Sequence, residues 1–140
     1  MRLDGDQLKP FDAQQLKDVR LFAIYNSAMW CGPCRKFTPK LVEYYKRVKA
    51  QHPEFEIIFL SGDRDEFNMG SYMRSDHMPW PALRYGAQGE LLNLYCGHSI
   101  PWLVCISADG RPLTKNGEDK KYIAPDEIIS AIDYMLAQMK

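Results

Sequence analysis

Three short apolar runs, rich in residues that favour β-structure, predict the strands that carry the fold. They are VRLFAIYNS at Val19–Ser27, EIIFLS at Glu56–Ser61 and IPWLVCIS at Ile100–Ser107. A fourth strand is predicted at PLTK, 112–115, because the D-G turn in ADGR would return the chain antiparallel to the third run.

Apolar positions at helical spacing predict helices between and after these runs. The first helix follows Cys34 for about four to five turns, and Pro39 should kink it. Short helices are predicted at FNMGSYMRSD and GELLNLYC, with an irregular stretch at MPWPALRYG between them. APDEIISAIDYMLAQMK should form the last helix, with Pro125 in its first turn. The predicted apolar stripes are Phe37, Leu41, Tyr44 and Val48, then Ile128, Ile132, Met135 and Met139.

The element order β-α-β-α-α-β-β-α predicts an α/β fold with a central mixed β-sheet flanked by helices on both faces. Its first half is a βαβ unit, which implies a parallel strand pair with a right-handed crossover. The chain has 140 residues, so we expect a single domain over 1–140.

The charge balance does not point to a nucleic acid, an anionic membrane or a polyacidic partner. Eighteen basic residues match eighteen acidic ones, so we expect no nucleic acid partner. No apolar run is long enough to span a bilayer, so we expect no membrane insertion. We also expect the protein to be a monomer. The N-terminus, MRLDGDQLKPFD, has no apolar signal segment. The protein should be cytoplasmic if Met1 is the native start, and periplasmic or exported if an upstream signal has been removed.

The stretch WCGPC, Trp30–Cys34, lies where a predicted strand ends and a predicted helix begins. A helix N-terminus favours negative charge, and thiols placed there can have a pKa of roughly 3.5–7.5 instead of about 8.5. Cys31 at the N-cap would therefore be the attacking thiolate, and Cys34, one turn on, would resolve the mixed disulfide. Gly32 and Pro33 would set the short turn between them.

The four cysteines could also form a zinc site or a second disulfide. A zinc site would need Cys96 and Cys105 as its second half, but their spacing is a poor match to a second C-x-x-C. These two could form a regulatory disulfide, although a cysteine in an apolar strand is more often an inert buried residue. His77 and His98 could flank the site, but surface positions are the better expectation.

Several segments together resemble the tryparedoxin/nucleoredoxin-like branch of the thioredoxin superfamily, which borders on bacterial TlpA-like proteins. They are YNSAMWCGPCRKFTPKLVEYY, FLSGDRDEFNMGSYMRSDHMPW and SIPWLVCISADGR. The resemblance implies a thioredoxin-like fold, with Cys31 as nucleophile and Cys34 as resolving cysteine. It also implies that Trp30 covers the disulfide and that Pro101 is a cis-proline, preceded by Ile100, which receives the substrate backbone.

The chain departs from the family pattern at four places, one of which is Gly32: CGPC is as in thioredoxin, whereas the branch often has CPPC. Thioredoxins proper carry a buried Asp six residues before the first cysteine, where this chain has Tyr25, as in the tryparedoxin-like branch, so the proton acceptor for Cys34 is open. Water or a carboxylate of the GDRDE segment (Asp63, Asp65 or Glu66) are the candidates, although capping is their simpler role. Trp102 follows the expected cis-proline where the family usually has Thr, and it could line the groove or pack into the sheet. Met29, where a small or polar residue is usual, could widen an apolar docking patch.

These observations predict a thiol–disulfide oxidoreductase that reduces protein disulfides. It would bind no cofactor and no metal and would take electrons from an unidentified donor. The substrate groove would consist of Trp30, Gly32, Pro33, Ile100 and Pro101. The alternatives are a thioredoxin-like interaction module, a structural metal protein, or a disulfide oxidase, isomerase or peroxide-linked reductase on the same fold.

Overall fold

The computed structural model describes residues 1–139. In this range, the strands are β1 Arg2–Asp4, β2 Gln7–Lys9, β3 Leu21–Ser27, β4 Phe55–Ser61 and β5 Trp102–Ser107. The helices are α1 Gly32–Gln51, α2 Glu66–Ser75, α3 Gly89–Tyr95, α4 Asn116–Asp119 and α5 Pro125–Gln138, with a 3-10 turn at Ala13–Leu16. Lys140, the last residue of the predicted C-terminal helix, lies outside the described residues.

The central sheet has the strand order β4-β3-β5. β3 and β4 are parallel, with Ile24 opposite Ile58, as the βαβ pattern predicted. β5 runs antiparallel to β3 and places Val104 opposite Ile24. The sheet is therefore mixed, and β3 at its centre leads directly into the WCGPC segment.

Side chains of β3 alternate between two apolar layers, because successive residues of a strand point to opposite faces. Leu21, Ala23 and Tyr25 join a large cluster with α1, α2 and α5. Ile24 faces a smaller cluster that includes Tyr95 from α3. Helices thus cover both faces of the sheet, which confirms the predicted α/β class.

The predicted fourth strand at PLTK is wrong. Pro112 makes a single antiparallel bridge to Ile106, and the Leu113 N–H donates to the Cys105 carbonyl at 2.8 Å. Beyond Leu113, side chains rather than backbone groups pair with the edge of β5. Thr114 Oγ1 accepts the Cys105 N–H at 3.1 Å, and Asn116 Nδ2 donates to the Leu103 carbonyl at 2.9 Å. The preceding turn is present, with Gly110 at a φ of 89°.

The remaining differences lie at boundaries and in the N-terminal region. β5 begins at Trp102, two residues later than predicted, and α5 buries Leu136 rather than Met139. Helix α1 is assigned without a break through Pro39, so its predicted kink stays a prediction. The β1-β2 hairpin was not predicted, because each strand has three residues and the segment is largely polar.

A buried set of hydroxyl groups joins β3, α1 and α2 behind the cysteine pair. Thr38 Oγ1 lies 2.7 Å from the Tyr25 hydroxyl and 2.6 Å from the Tyr72 hydroxyl. Tyr72 also lies 2.7 Å from Ser27 Oγ, and Thr38 Oγ1 donates to the Cys34 carbonyl at 3.0 Å. The turn that carries Cys34 is thereby tied to the centre of the sheet.

The available hydrogens fix the direction of these bonds. Since Thr38 donates its only O–H to the Cys34 carbonyl, its oxygen must accept from both Tyr25 and Tyr72. Tyr72 then has no second hydrogen, so Ser27 donates to it. Every hydroxyl hydrogen in the set points toward Thr38, and Thr38 points to Cys34.

We predict that Thr38→Val lowers the free energy of unfolding by about 2 kcal/mol, because two buried phenol groups lose their acceptor. Tyr25→Phe should lower it by only about 1 kcal/mol, since it removes one donor and strands none. Urea denaturation of the oxidised proteins measures both values. Thr38→Ser, which keeps the hydroxyl, is the control, and an unchanged stability of Thr38→Val would contradict the assignment.

Candidate active site

The cysteine pair lies at the junction of β3 and α1. The chain turns after Ser27, and the Cys31 N–H donates to the Ala28 carbonyl at 3.2 Å. Cys31 is the N-cap of α1, as predicted, and its sulfur accepts the Cys34 N–H at 3.3 Å. Pro33 occupies the first turn, where a missing N–H has no helical partner to lose. The start of the helix therefore directs a backbone donor at the Cys31 sulfur.

Cys31 and Cys34 form a disulfide, with their Cα atoms 5.2 Å apart. Cys31 is 7% exposed and Cys34 is fully buried. The asymmetry predicted from the sequence is therefore present in the structure. An incoming disulfide has access to the Cys31 side, which is also the side nearest the positive end of the helix dipole.

The segment before β5 approaches the disulfide from the opposite side. The Ile100–Pro101 peptide bond is cis, as the resemblance implied. Cys31 Sγ lies 3.8 Å from the Ile100 carbonyl oxygen. Ile100 packs on a small apolar cluster formed by Ala28, Cys31 and Cys34. This places a backbone carbonyl beside the more accessible sulfur.

Trp30, Gly32 and Pro33 form the exposed rim of the pair. The Trp30 indole is 63% exposed, and its Nε1 donates to the Gly62 carbonyl at 3.1 Å. The indole is thus directed toward the loop after β4, and it is not part of the apolar cluster that holds the disulfide. Its role in covering the disulfide stays a prediction.

Asp63 does not cap α2, although capping was the simpler role expected for it from the sequence. Asp65 is the N-cap of α2 and accepts the Asn68 N–H at 2.8 Å, so the capping expectation holds there. Asp63 instead accepts the Met29 N–H at 2.9 Å, two residues before Cys31. Asp63 is 6% exposed, and this burial raises the pKa of its carboxyl group. The only signal in the sequence was an acidic run following a buried strand.

Tyr25 does not replace the missing carboxylate as a base. Burial raises the pKa of its phenol well above the ordinary value, so the group stays protonated at neutral pH. Its hydrogen is already directed at Thr38. The Cys34 proton therefore does not pass to Tyr25.

The two remaining cysteines and Trp102 belong to the apolar layers of the sheet and not to the cluster around the pair. Cys96 and Cys105 are free and buried, in clusters on opposite faces of the sheet, and burial raises the pKa of each thiol to about 12. His77 and His98 are exposed. Trp102 packs into the second apolar layer and donates to the Tyr95 carbonyl at 3.1 Å, so it belongs to the sheet rather than to the groove.

Within residues 1–139, no three His, Cys, Asp or Glu side chains lie close enough together to hold a metal ion. Within the same described part, no helix has both the length and the apolar character needed to cross a membrane.

Comparison with known proteins places the fold and the cysteine pair in one family. The family model described as Thioredoxin-like matches residues 18–111. The chain is 42% identical to Probable nucleoredoxin 1 of Arabidopsis thaliana over 98 residues, which is 69% of this chain and 17% of that protein. The curated relatives it matches are several times longer than this chain: it covers 25% of Nucleoredoxin from Danio rerio and 22% of that from Mus musculus.

Solved structures agree with this placement. The thioredoxin of Wuchereria bancrofti superposes with a TM-score of 0.69 at 35% identity, covering 87% of this chain and 86% of that one. Tryparedoxin I of Leishmania major gives a TM-score of 0.66 at 33% identity, covering 75% and 73% of the two chains. The chain therefore belongs to the thioredoxin superfamily, in its tryparedoxin/nucleoredoxin-like branch.

Proposed function

We propose that residues 1–140 act as one thioredoxin-like unit, a thiol–disulfide oxidoreductase that reduces protein disulfides through Cys31 and Cys34. The observation that carries the proposal is the asymmetric pair at the start of α1. Cys31 caps the helix and keeps 7% of its surface exposed, whereas Cys34, one turn later, is fully buried. That arrangement supports a nucleophile and a resolving cysteine rather than a purely structural disulfide.

The reaction is a two-electron exchange in two steps. The Cys31 thiolate attacks one sulfur of the substrate disulfide, forms a mixed disulfide and releases the other substrate sulfur as a thiolate. The Cys34 thiolate then attacks the Cys31 sulfur, which frees the second substrate thiolate and leaves Cys31–Cys34 oxidised. A dithiol donor returns two electrons to the pair by the reverse exchange.

The start of α1 favours the first step because it stabilises charge on Cys31. In the reduced form, the Cys34 N–H would remain in reach of the Cys31 sulfur, and the helix dipole acts in the same direction. Buried Cys34 lacks that access to substrate, so it reacts only when the mixed disulfide holds its target close.

The rim of the pair supports a docking groove for an extended chain. Gly32 and Pro33 are exposed, and the Ile100 carbonyl lies beside Cys31 Sγ. A substrate backbone N–H would donate to that carbonyl, aligning its disulfide with Cys31. Trp30 and Pro101 would bound the groove on either side.

We predict that Cys31→Ser abolishes reduction of a protein disulfide, because the attacking sulfur is absent. Cys34→Ser should instead accumulate covalent mixed disulfides, since nothing then resolves them. Turnover with a dithiol donor and non-reducing electrophoresis measure the two outcomes. Cys96→Ala, at a buried thiol, is the matched control and should retain turnover. Activity that persists in Cys31→Ser would refute the assignment.

The direction of the reaction is tested by the reduction potential of the Cys31–Cys34 couple. We expect a value near or below about −270 mV, the thioredoxin end of the scale, because the two residues between the cysteines are Gly and Pro as in thioredoxin. Equilibration in graded thiol/disulfide buffers, followed by alkylation, gives the value. A potential near about −120 mV would indicate a disulfide donor instead. The lack of any reversible couple would favour an interaction module.

We predict that Asp63→Asn stabilises the oxidised protein at pH 7. The amide retains an oxygen for the Met29 N–H and removes a buried charge whose oxygen Oδ2 has no partner within residues 1–139. Since the folded pKa of Asp63 is raised, the wild type loses stability as pH rises through that pKa. The advantage of the variant should therefore shrink as pH falls toward 3.8, the ordinary value. Urea denaturation from pH 4 to 8 tests this, and a deficit that grows with pH would contradict it.

A further inference from the structure

A cleft of about 440 Å³ opens beside the cysteine pair. Its lining residues are Met29, Trp30, Arg35, Asp63, Arg64 and Asn68. Trp30 directly precedes Cys31, and Arg35 directly follows Cys34. Consecutive Cα atoms are about 3.8 Å apart, so a ligand that contacts Trp30 or Arg35 lies one residue along the chain from a cysteine of the disulfide.

The accessible charge of this cleft is positive. Arg35 and Arg64 are exposed, and neither guanidinium takes part in a salt bridge or side-chain hydrogen bond within the described residues 1–139. The one acid in the lining, Asp63, is 6% exposed, and its Oδ1 accepts the Met29 N–H. A ligand in the cleft therefore meets two free guanidinium groups above a carboxylate that is largely withdrawn from the surface.

The nearby acids of α2, Asp65 and Glu66, do not line the cleft. Asp65 accepts the Asn68 N–H as the N-cap, and Glu66 lies in the first helical turn. Both are outside the cleft lining, and both are positioned to interact with the positive end of the α2 dipole.

Large aromatic surfaces accompany the two arginines. The Trp30 indole is held by its bond to the Gly62 carbonyl while most of the ring remains in solvent. Phe67, next to Asn68 on α2, is 75% exposed. Exposed aromatic side chains together with arginines are the residue types enriched in protein–protein interfaces.

We propose that this cleft selects polypeptide disulfides that carry an Asp or Glu side chain close to the reactive cysteine. The inference rests on the proposed disulfide exchange and names the substrate class of that same site. The carboxylate of the substrate pairs with Arg64 and Arg35, whose planar guanidinium groups suit two-point contact with a carboxylate. The flanking polypeptide covers Trp30 and Phe67, which a small anionic thiol is too short to cover.

The test uses three cyclic peptides with one internal disulfide, identical except for Glu, Gln or Lys beside the cysteines. Reduced protein is mixed with excess peptide, and formation of Cys31–Cys34 is followed by acid quench and alkylation. Each rate is divided by the rate of the same peptide with dithiothreitol, which removes the intrinsic effect of the neighbouring charge. The normalised rates should fall in the order Glu, Gln, Lys.

In Arg35→Gln/Arg64→Gln, the normalised rate with the Glu peptide should fall about fivefold, while the Gln peptide changes little. The Glu preference of the wild type should also shrink at high salt, because these charges are exposed. Arg20→Gln/Arg47→Gln is the matched control, since it removes two exposed arginine charges outside the cleft lining and should leave all three rates unchanged. Circular dichroism of each variant verifies the fold.

Three results would overturn the proposal. Equal wild-type rates with all three peptides would exclude charge selection while leaving disulfide exchange intact. A small dicarboxylate disulfide with the same dependence on the two arginines as the Glu peptide would exclude a role for the polypeptide. Failure to reduce these peptides and neutral 2-hydroxyethyl disulfide alike would instead remove the proposed function, and this inference with it.

Discussion

The Thr38 hydroxyl is the interaction on which the geometry of the site depends. It accepts from one tyrosine on the central strand and one on α2, and it donates to the carbonyl of Cys34. These bonds join three elements that are distant in sequence at a point directly behind the disulfide. Because every group involved is buried, removing one partner leaves a polar atom without compensation rather than exposing it to water. The position of Cys34 is therefore set by the core of the protein and not only by the helix to which it belongs.

The arrangement also explains how the chain accommodates Tyr25 where thioredoxins have a buried acid. A carboxylate in that place could accept a proton, whereas Tyr25 arrives with a hydrogen to donate and needs an acceptor. Thr38 supplies the acceptor, and Tyr72 makes use of the same oxygen. The result is a neutral hydroxyl set at the position where the resemblance places an acid in thioredoxins proper. Asp63, which follows the end of β4, is a titratable acid that reaches the site through its hydrogen bond with the Met29 N–H.

Much of the fold could be predicted from local sequence, and the reasons for the failures are physical. The Cys31 N-cap and the parallel β3–β4 pair follow from an apolar run, a helical period and a short turn, which are local signals. The edge of β5 was misjudged because a proline and two polar side chains take the place of a strand there. The cleft beside the pair was missed because Arg35 and Arg64 belong to different segments that only the parallel sheet brings together. The spacing of residues along the chain does not show which distant segments come together in the folded protein.

The burial of Cys96 and Cys105 limits the electron capacity of the molecule. The two thiols lie in different apolar layers with the sheet between them, and burial keeps them protonated at neutral pH. They are thus poor nucleophiles and cannot meet each other to store a second electron pair. A chain with four cysteines is in this sense a carrier of one pair of electrons. Under the proposed function, each exchange oxidises the Cys31–Cys34 pair, and a further round requires a donor that returns two electrons.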